Sequence, residues 1–374
     1  MFFKDIAGKS EVKKSLIRSV EKKRIPHAQI FLAREGRGAL PMALAFASYL
    51  MCENKVNDDS CGQCNQCRKT HQFIHPDIHF SFPVVKIGDK KRAETTSDDF
   101  LPKWREILVE NPFMGTREWL LHIQAENNLP NINVKECNDI MHKLNMMSYE
   151  SEYKILIMWL PEYLGSEGNR LLKLIEEPTD NTYIIMVAEN QDHILQTIIS
   201  RCQLVKIPDF ETSEIREYLI HQQHIPEFKA QQMANLADGN LNQAISICKN
   251  EATDYSDLLI SWLRIAYKSD PVEINKWITV ISDMDKDEQK NFFEYGLHFF
   301  RQFIFRILTK SDQVNLTQKE LETAEKMQNI IDITKSEFIS KILNDAIENV
   351  NRNINIKIML FSDTLAIGEM IRKK

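Results

Sequence analysis

At 374 residues the chain is long enough for two or three domains, each with its own core. Its 43% hydrophobic and 27% charged residues match an ordinary soluble globular protein, and a net charge of −6 argues against a general polyanion binder while leaving room for a local basic patch. The start, MFFKDIAGKSEVK, is too charged for a signal peptide, and no apolar run approaches the roughly 18 residues of a membrane span. A cytoplasmic chain with no membrane partner is expected, so the seven cysteines should be thiols or metal ligands rather than structural disulfides.

Residues 1–25 read as a lead-in and an amphipathic helix, with Ser10 as N-cap and Lys22, Lys23 and Arg24 at the cation-favouring end. Next, HAQIFLAREGRGALPMALAFA (27–47) has the strand–loop–helix frame of a phosphate-binding loop, G-x-x-x-x-G-K-[ST]. Aligned on Gly36 and Gly38, the first glycine position holds Ala33, the lysine position Ala39 and the hydroxyl position Leu40. Ala39 has no ammonium for a phosphate, and Leu40 no hydroxyl for magnesium. Taken alone, the stretch is equally an ordinary βα turn.

Cys52, Cys61, Cys64 and Cys67 follow, with Gly62 and Asn65 as turn residues. Four thiols with x2 knuckle spacings suit tetrahedral zinc, and four protein ligands leave no open position for catalysis. An Fe–S cluster is the weaker alternative. His71, His75 and His79 are spaced by four, but Pro76 breaks the helix that would align them as further ligands. Asp77–Val85 reads as a strand. Residues 86–128 are polar and irregular with two amphipathic segments, which predicts an insertion riding on the surface of the core. A helix at about Val134–Met147 leads to KILIMW (154–159), a buried parallel strand. Trp159 and Leu160 stand where a nucleotide hydrolase would carry Asp-Glu, and Glu162 is expected to be a surface carboxylate.

The pairing of NRLLKLIEEP (169–178) with Ser200-Arg201-Cys202, after this loop and four-Cys insert, resembles the AAA+ clamp-loader family of bacterial DNA polymerase III, well over residues 1–250 and by architecture beyond. The resemblance implies a RecA-like AAA+ domain with parallel sheet over 1–208, carrying a zinc module (52–67) and the insertion (86–128). A three-helix lid (209–252) and a helical collar for oligomerisation (253–374) would follow. It makes Arg201 an arginine finger acting in a neighbour's site, with Ser200 and Cys202 shaping the strand end. Asn242 stands where the lid arginine would be. Cis chemistry is thus gone and trans chemistry kept. The expectation is a non-hydrolysing subunit of a pentamer with the gamma/tau ATPases and delta, loading a sliding clamp onto primer-template DNA. Structural zinc is expected, and no productive ATP or magnesium binding. Two alternatives stay open: an active ATPase of the gamma/tau type, and a zinc-bearing passive nucleic-acid-binding protein. In the last region Trp262, Trp277 and the phenylalanines from Phe292 to Phe305 form a helical stripe that is mainly core.

Overall fold

The computed structural model describes residues 1–373 except 88, 89, 127, 250–254, 310–313, 315, 317 and 353. The expected boundary at 252/253 lies outside the described residues. The chain divides into two compact units: Met1–His224 with Asp238–Gln243, and Ile225–Ala237 with Ala244–Lys374.

The first unit is built on a five-stranded sheet of β1 (Ala28–Leu32), β2 (Ile78–Ser81), β3 (Lys154–Trp159), β4 (Thr182–Ala188) and β5 (Gln203–Lys206). All pairings are parallel and the order is β2-β3-β4-β1-β5. This is the expected α/β architecture. The inner strands are near-continuous apolar runs because both their faces are covered, whereas the edge strand β5 keeps Gln203 and Lys206 exposed. β2 is shorter than the expected 77–85, since Pro83 cannot donate to a ladder. Val84 instead pairs alone with Asn131, by amide–carbonyl bonds of 3.0 and 3.1 Å.

The helices of this unit are α1 (Ser10–Glu21), α2 (Ala39–Met51), α3 (Asn65–His71), α4 (Leu101–Glu110), α5 (Thr116–His122), α6 (Val134–Asn145), α7 (Leu172–Glu176), α8 (Gln196–Ile199) and α9 (Thr212–Gln222). Lys9, not Ser10, occupies the N-cap of α1. α2 is buried on every side, which its all-apolar sequence requires. NRLLKLIEEP (169–178) is not one continuous helix: a 3₁₀ stretch, Pro161–Leu171, runs into the short α7.

The insertion does not ride on the surface. Its opening segment is exposed, but Phe100, Trp104, Phe113, Met114 and Trp119 are buried. Trp104 stacks on Phe82 at 4.1 Å, meets Trp119 edge-on at 5.3 Å and lies 5.2 Å from Trp159. Burying these rings is worth more than leaving the amphipathic segments on water. Glu136 ties its start to the core by accepting the Ser97 amide at 2.7 Å.

The second unit is helical throughout its described residues: α10 (Glu227–Leu236), most of α11 (Leu241–Lys249), α12 (Tyr255–Lys268), α13 (Pro271–Ser282), α14 (Lys286–Thr309), α15 (Gln318–Met327), α16 (Ile333–Asn351) and α17 (Ile356–Arg372). Trp262 and Trp277 stack at 5.1 Å, and Phe292, Phe293, Phe299, Phe300 and Phe303 are fully buried, while Phe305 is exposed. Among the described residues no helix is long and apolar enough to cross a membrane.

Candidate functional site

The loop between β1 and α2 lies at the C-terminal end of an inner strand, between β4 and β5, where open α/β sheets place their ligands. Gly36 (φ 72°) and Gly38 (φ 95°) adopt left-handed backbone, and a Cβ on Gly38 would come within 3.0 Å of the Phe210 ring. The loop's surroundings are occupied by the chain itself. The Gly36 carbonyl accepts the Leu241 amide at 3.0 Å. Asn242 is buried, takes a hydrogen bond from Asn111 at 2.7 Å and donates one to Glu118 at 2.6 Å. Pro112, Phe113 and Met114, from the insertion, line the cavity over Gly36–Pro41 together with Trp159, Val187 and Glu189. That cavity holds about 20 Å³. This is space for a water or two, whereas ligand pockets run to roughly 300–1,000 Å³. Ala33, Ala39 and Leu40 are all buried beneath it.

Charge around the loop is mixed, with two arginines on one side and a group of carboxylates on the other. Both guanidinium groups of the loop, Arg34 and Arg37, face Asp209, Arg34 at 2.8 Å. Glu162 is not the expected surface carboxylate: it accepts the amides of Glu189 and Asn190 at 2.6 and 2.8 Å, and burial raises its pKa. Beyond β4, burial and the charges of Glu35, Glu162 and Glu118 push Glu189 up to about 8. Leu160, beside Trp159 in the missing acidic pair, is buried with a left-handed backbone (φ 58°). The raised Glu189 pKa has a fixed sign. Its contribution to stability is whole below the ordinary carboxylate range and is lost as pH rises through about 8. Glu189→Gln is therefore expected to unfold at higher temperature than the parent at pH 9 and to lose that advantage at pH 4. Thermal unfolding across pH measures this.

The cysteine module is assembled as its spacing predicts. The Sγ atoms of Cys52, Cys61, Cys64 and Cys67 lie within 4.8 Å of one another, and no other such grouping of metal ligands occurs among the described residues. Cys61 and Cys67 Sγ are 3.9 Å apart. That is far beyond a disulfide and close to the edge, about 3.8 Å, of a tetrahedron with 2.3 Å metal–sulfur bonds. Backbone amides point at the sulfurs as they would at thiolates: Cys61 N to Cys52 at 3.2 Å, Cys64 N to Cys61 at 3.4 Å and Cys67 N to Cys64 at 3.4 Å. The amides of Cys64 and Gln63 pull the Cys61 thiol down to about 6. Gly62 (φ 71°) makes the knuckle turn, and a Cβ there would meet the Phe2 ring at 2.8 Å. The four residues fit a metal ion such as zinc. The histidines do not extend the site. His75 bonds Gln66 at 2.5 Å and receives the Asp77 amide at 3.1 Å, and burial pushes His71 and His79 down to about 4.

Ser200-Arg201-Cys202 lies at the turn from α8 into β5. Arg201 is exposed. Its Nε donates to Glu176, and its Nη1 donates to the Thr197 carbonyl at 2.9 Å and to Ser200 Oγ at 3.3 Å. Cys202 is half-buried, which pushes its thiol up to about 12 and removes it as a nucleophile. Sequence reasoning placed these residues but missed Phe113, Met114, Asn111, Glu118 and Glu189. Nothing local marks them, because each meets the loop only through the fold.

Among known proteins, the chain is 25% identical over 240 residues to DNA polymerase III subunit delta' of Bacillus subtilis, covering 64% of this chain and 59% of that relative. It is 25% identical over 251 residues to subunit tau of Escherichia coli, covering 66% of this chain and 32% of the relative. The chain thus spans about three-fifths or less of the length of these relatives. A solved gamma subunit-related protein from Thermotoga maritima aligns over 96% of this chain and 99% of its own, at 14% identity and a TM-score of 0.39. The model of the family described as DNA polymerase III, delta subunit, matches residues 8–211. More than half of the chain is covered, and the chain belongs to that family.

Proposed function

We propose that the chain is a non-hydrolysing clamp-loader subunit of the delta-prime type. It would bind no nucleotide productively, hold a structural zinc ion, and lend Arg201 to the nucleotide site of a neighbouring gamma/tau-type ATPase. With those subunits and delta it would help load a sliding clamp onto primed DNA. The observation that carries the proposal is the occupied loop. Ala39 and Leu40 stand where an ammonium and a hydroxyl would be, and Phe113 and Met114 close over the loop, leaving about 20 Å³ where a triphosphate would need room. Zinc, held by four thiolates, would supply no open coordination position, so its contribution is to folding. The exposed apolar side chains Ile358, Phe361 and Leu365, spaced by three and four on α17, support packing of the helical unit against other subunits.

Titration with a fluorescent ATP analogue, with and without magnesium, tests the occupied loop. The purified chain is expected to show no magnesium-dependent binding, and tight, magnesium-dependent binding would instead favour the active-ATPase alternative. Restoring the motif residues alone, as Ala39→Lys with Leu40→Thr, is expected not to create binding, because Phe113 and Met114 still close over the loop.

A further inference from the structure

Arg201 reaches the surface already held by its own chain. A guanidinium has five N–H groups in one plane. Three of those on Arg201 are engaged: Nε with the Glu176 carboxylate, and both Nη1 protons with Thr197 O (2.9 Å) and Ser200 Oγ (3.3 Å). The Nη2 amino group has no partner among the described residues. Glu176 is the last residue of α7, which places its carboxylate on a regular element rather than a mobile loop.

We propose that Glu176 is a positioning residue for Arg201. The inference rests on the finger role proposed above. A free arginine samples many rotamers, and a finger that must meet a neighbour's phosphate gains rate if its torsions are set beforehand. The choice of nitrogen decides between positioning and inhibition. A carboxylate that blocked the finger would take Nη2, the guanidinium nitrogen that the Thr197, Ser200 and Glu176 bonds leave over. Glu176 takes Nε, the nitrogen nearest the backbone, and leaves Nη2 for an incoming anion. The pair is solvent-exposed, with 35% and 46% of the two side chains accessible, so it adds little to stability and its removal leaves the fold intact.

The test is primed-DNA-stimulated ATP hydrolysis by the reconstituted complex, with each variant checked first for unchanged unfolding temperature and assembly. Glu176→Ala is expected to lower kcat about tenfold with KM for ATP unchanged, as a misplaced group does. Glu176→Gln keeps an acceptor oxygen for Nε and is expected to recover most of the rate. Glu176→Ala added to Arg201→Ala should cost nothing further, because the two act as one unit. A Glu176→Ala complex at parental rate or faster, or a Glu176→Gln complex as slow as Glu176→Ala, overturns the proposal while Arg201→Ala still collapses the rate. If Arg201→Ala itself has no effect, the finger assignment fails first, and positioning falls with it.

Discussion

Arg201→Ala is expected to reduce primed-DNA-stimulated ATP hydrolysis of the assembled complex by roughly 10³-fold or more while leaving assembly and folding unchanged. A guanidinium supplied in trans stabilises charge that develops on the transferring phosphoryl group, an effect worth roughly 10³–10⁵ in rate. Its charge is permanent, so the loss should be independent of pH across the neutral range. Arg201→Lys should recover little, since a single ammonium cannot keep the Glu176 and Thr197 bonds and still present a further N–H to phosphate. The structural account of Arg201 predicts the opposite pattern. Its ion pair with Glu176 is exposed, and such pairs contribute about 0–1 kcal/mol, so a purely structural arginine could be removed with almost no consequence of any kind. An Arg201→Ala complex that hydrolyses ATP at the parental rate defeats the finger role.

Loss of the metal should be the largest single blow to stability. Cys64→Ser removes one of four thiolates while its hydroxyl can still cap α3 and accept the Cys67 amide, so the loss falls on the metal. The variant is expected to lose bound zinc and at least about 4 kcal/mol of stability, because metal binding free energy is folding free energy for a site that exists only in the folded chain. The effect should reach beyond the knuckle. Asp59, within the module, accepts the amides of Phe3 and Lys4 at 3.1 and 3.0 Å, and Phe2 packs on His71 with ring centroids 4.2 Å apart. Elemental analysis should find one zinc per parental chain, and a chelator should lower its unfolding temperature towards that of Cys64→Ser. Acid should do the same, since protons compete with the metal for the thiolates. Four free thiols on titration, no metal and an unchanged unfolding temperature in chelator would remove the zinc assignment.

Features whose cause is local were legible beforehand. The apolar runs Ile30–Leu32 and Lys154–Trp159 became inner strands because burial on both faces is written into consecutive residues. Cys61, Cys64 and Cys67 came together because x2 steps close a knuckle, and Cys52 joins them from the end of α2 by accepting the Cys61 amide. Local signals also misled. Asp77–Val85 read as one strand, yet the ladder ended at Ser81, ahead of Pro83. Residues 86–128 looked polar on average, which hid the burial of Phe100, Trp104, Phe113, Met114 and Trp119 against the core.

By itself, then, the amino-acid order determined the α/β core, the metal-ligand set, the absence of a lysine and hydroxyl at Ala39 and Leu40, and the presence of the arginine in Ser200-Arg201-Cys202. Only the tertiary structure decided what surrounds that loop. Phe113 and Met114 come to the loop from about 75 residues along the chain and Asn242 from about 200, distances over which neither propensity nor periodicity carries information. Their meeting is a product of close packing between segments far apart in the chain, which no local stretch records.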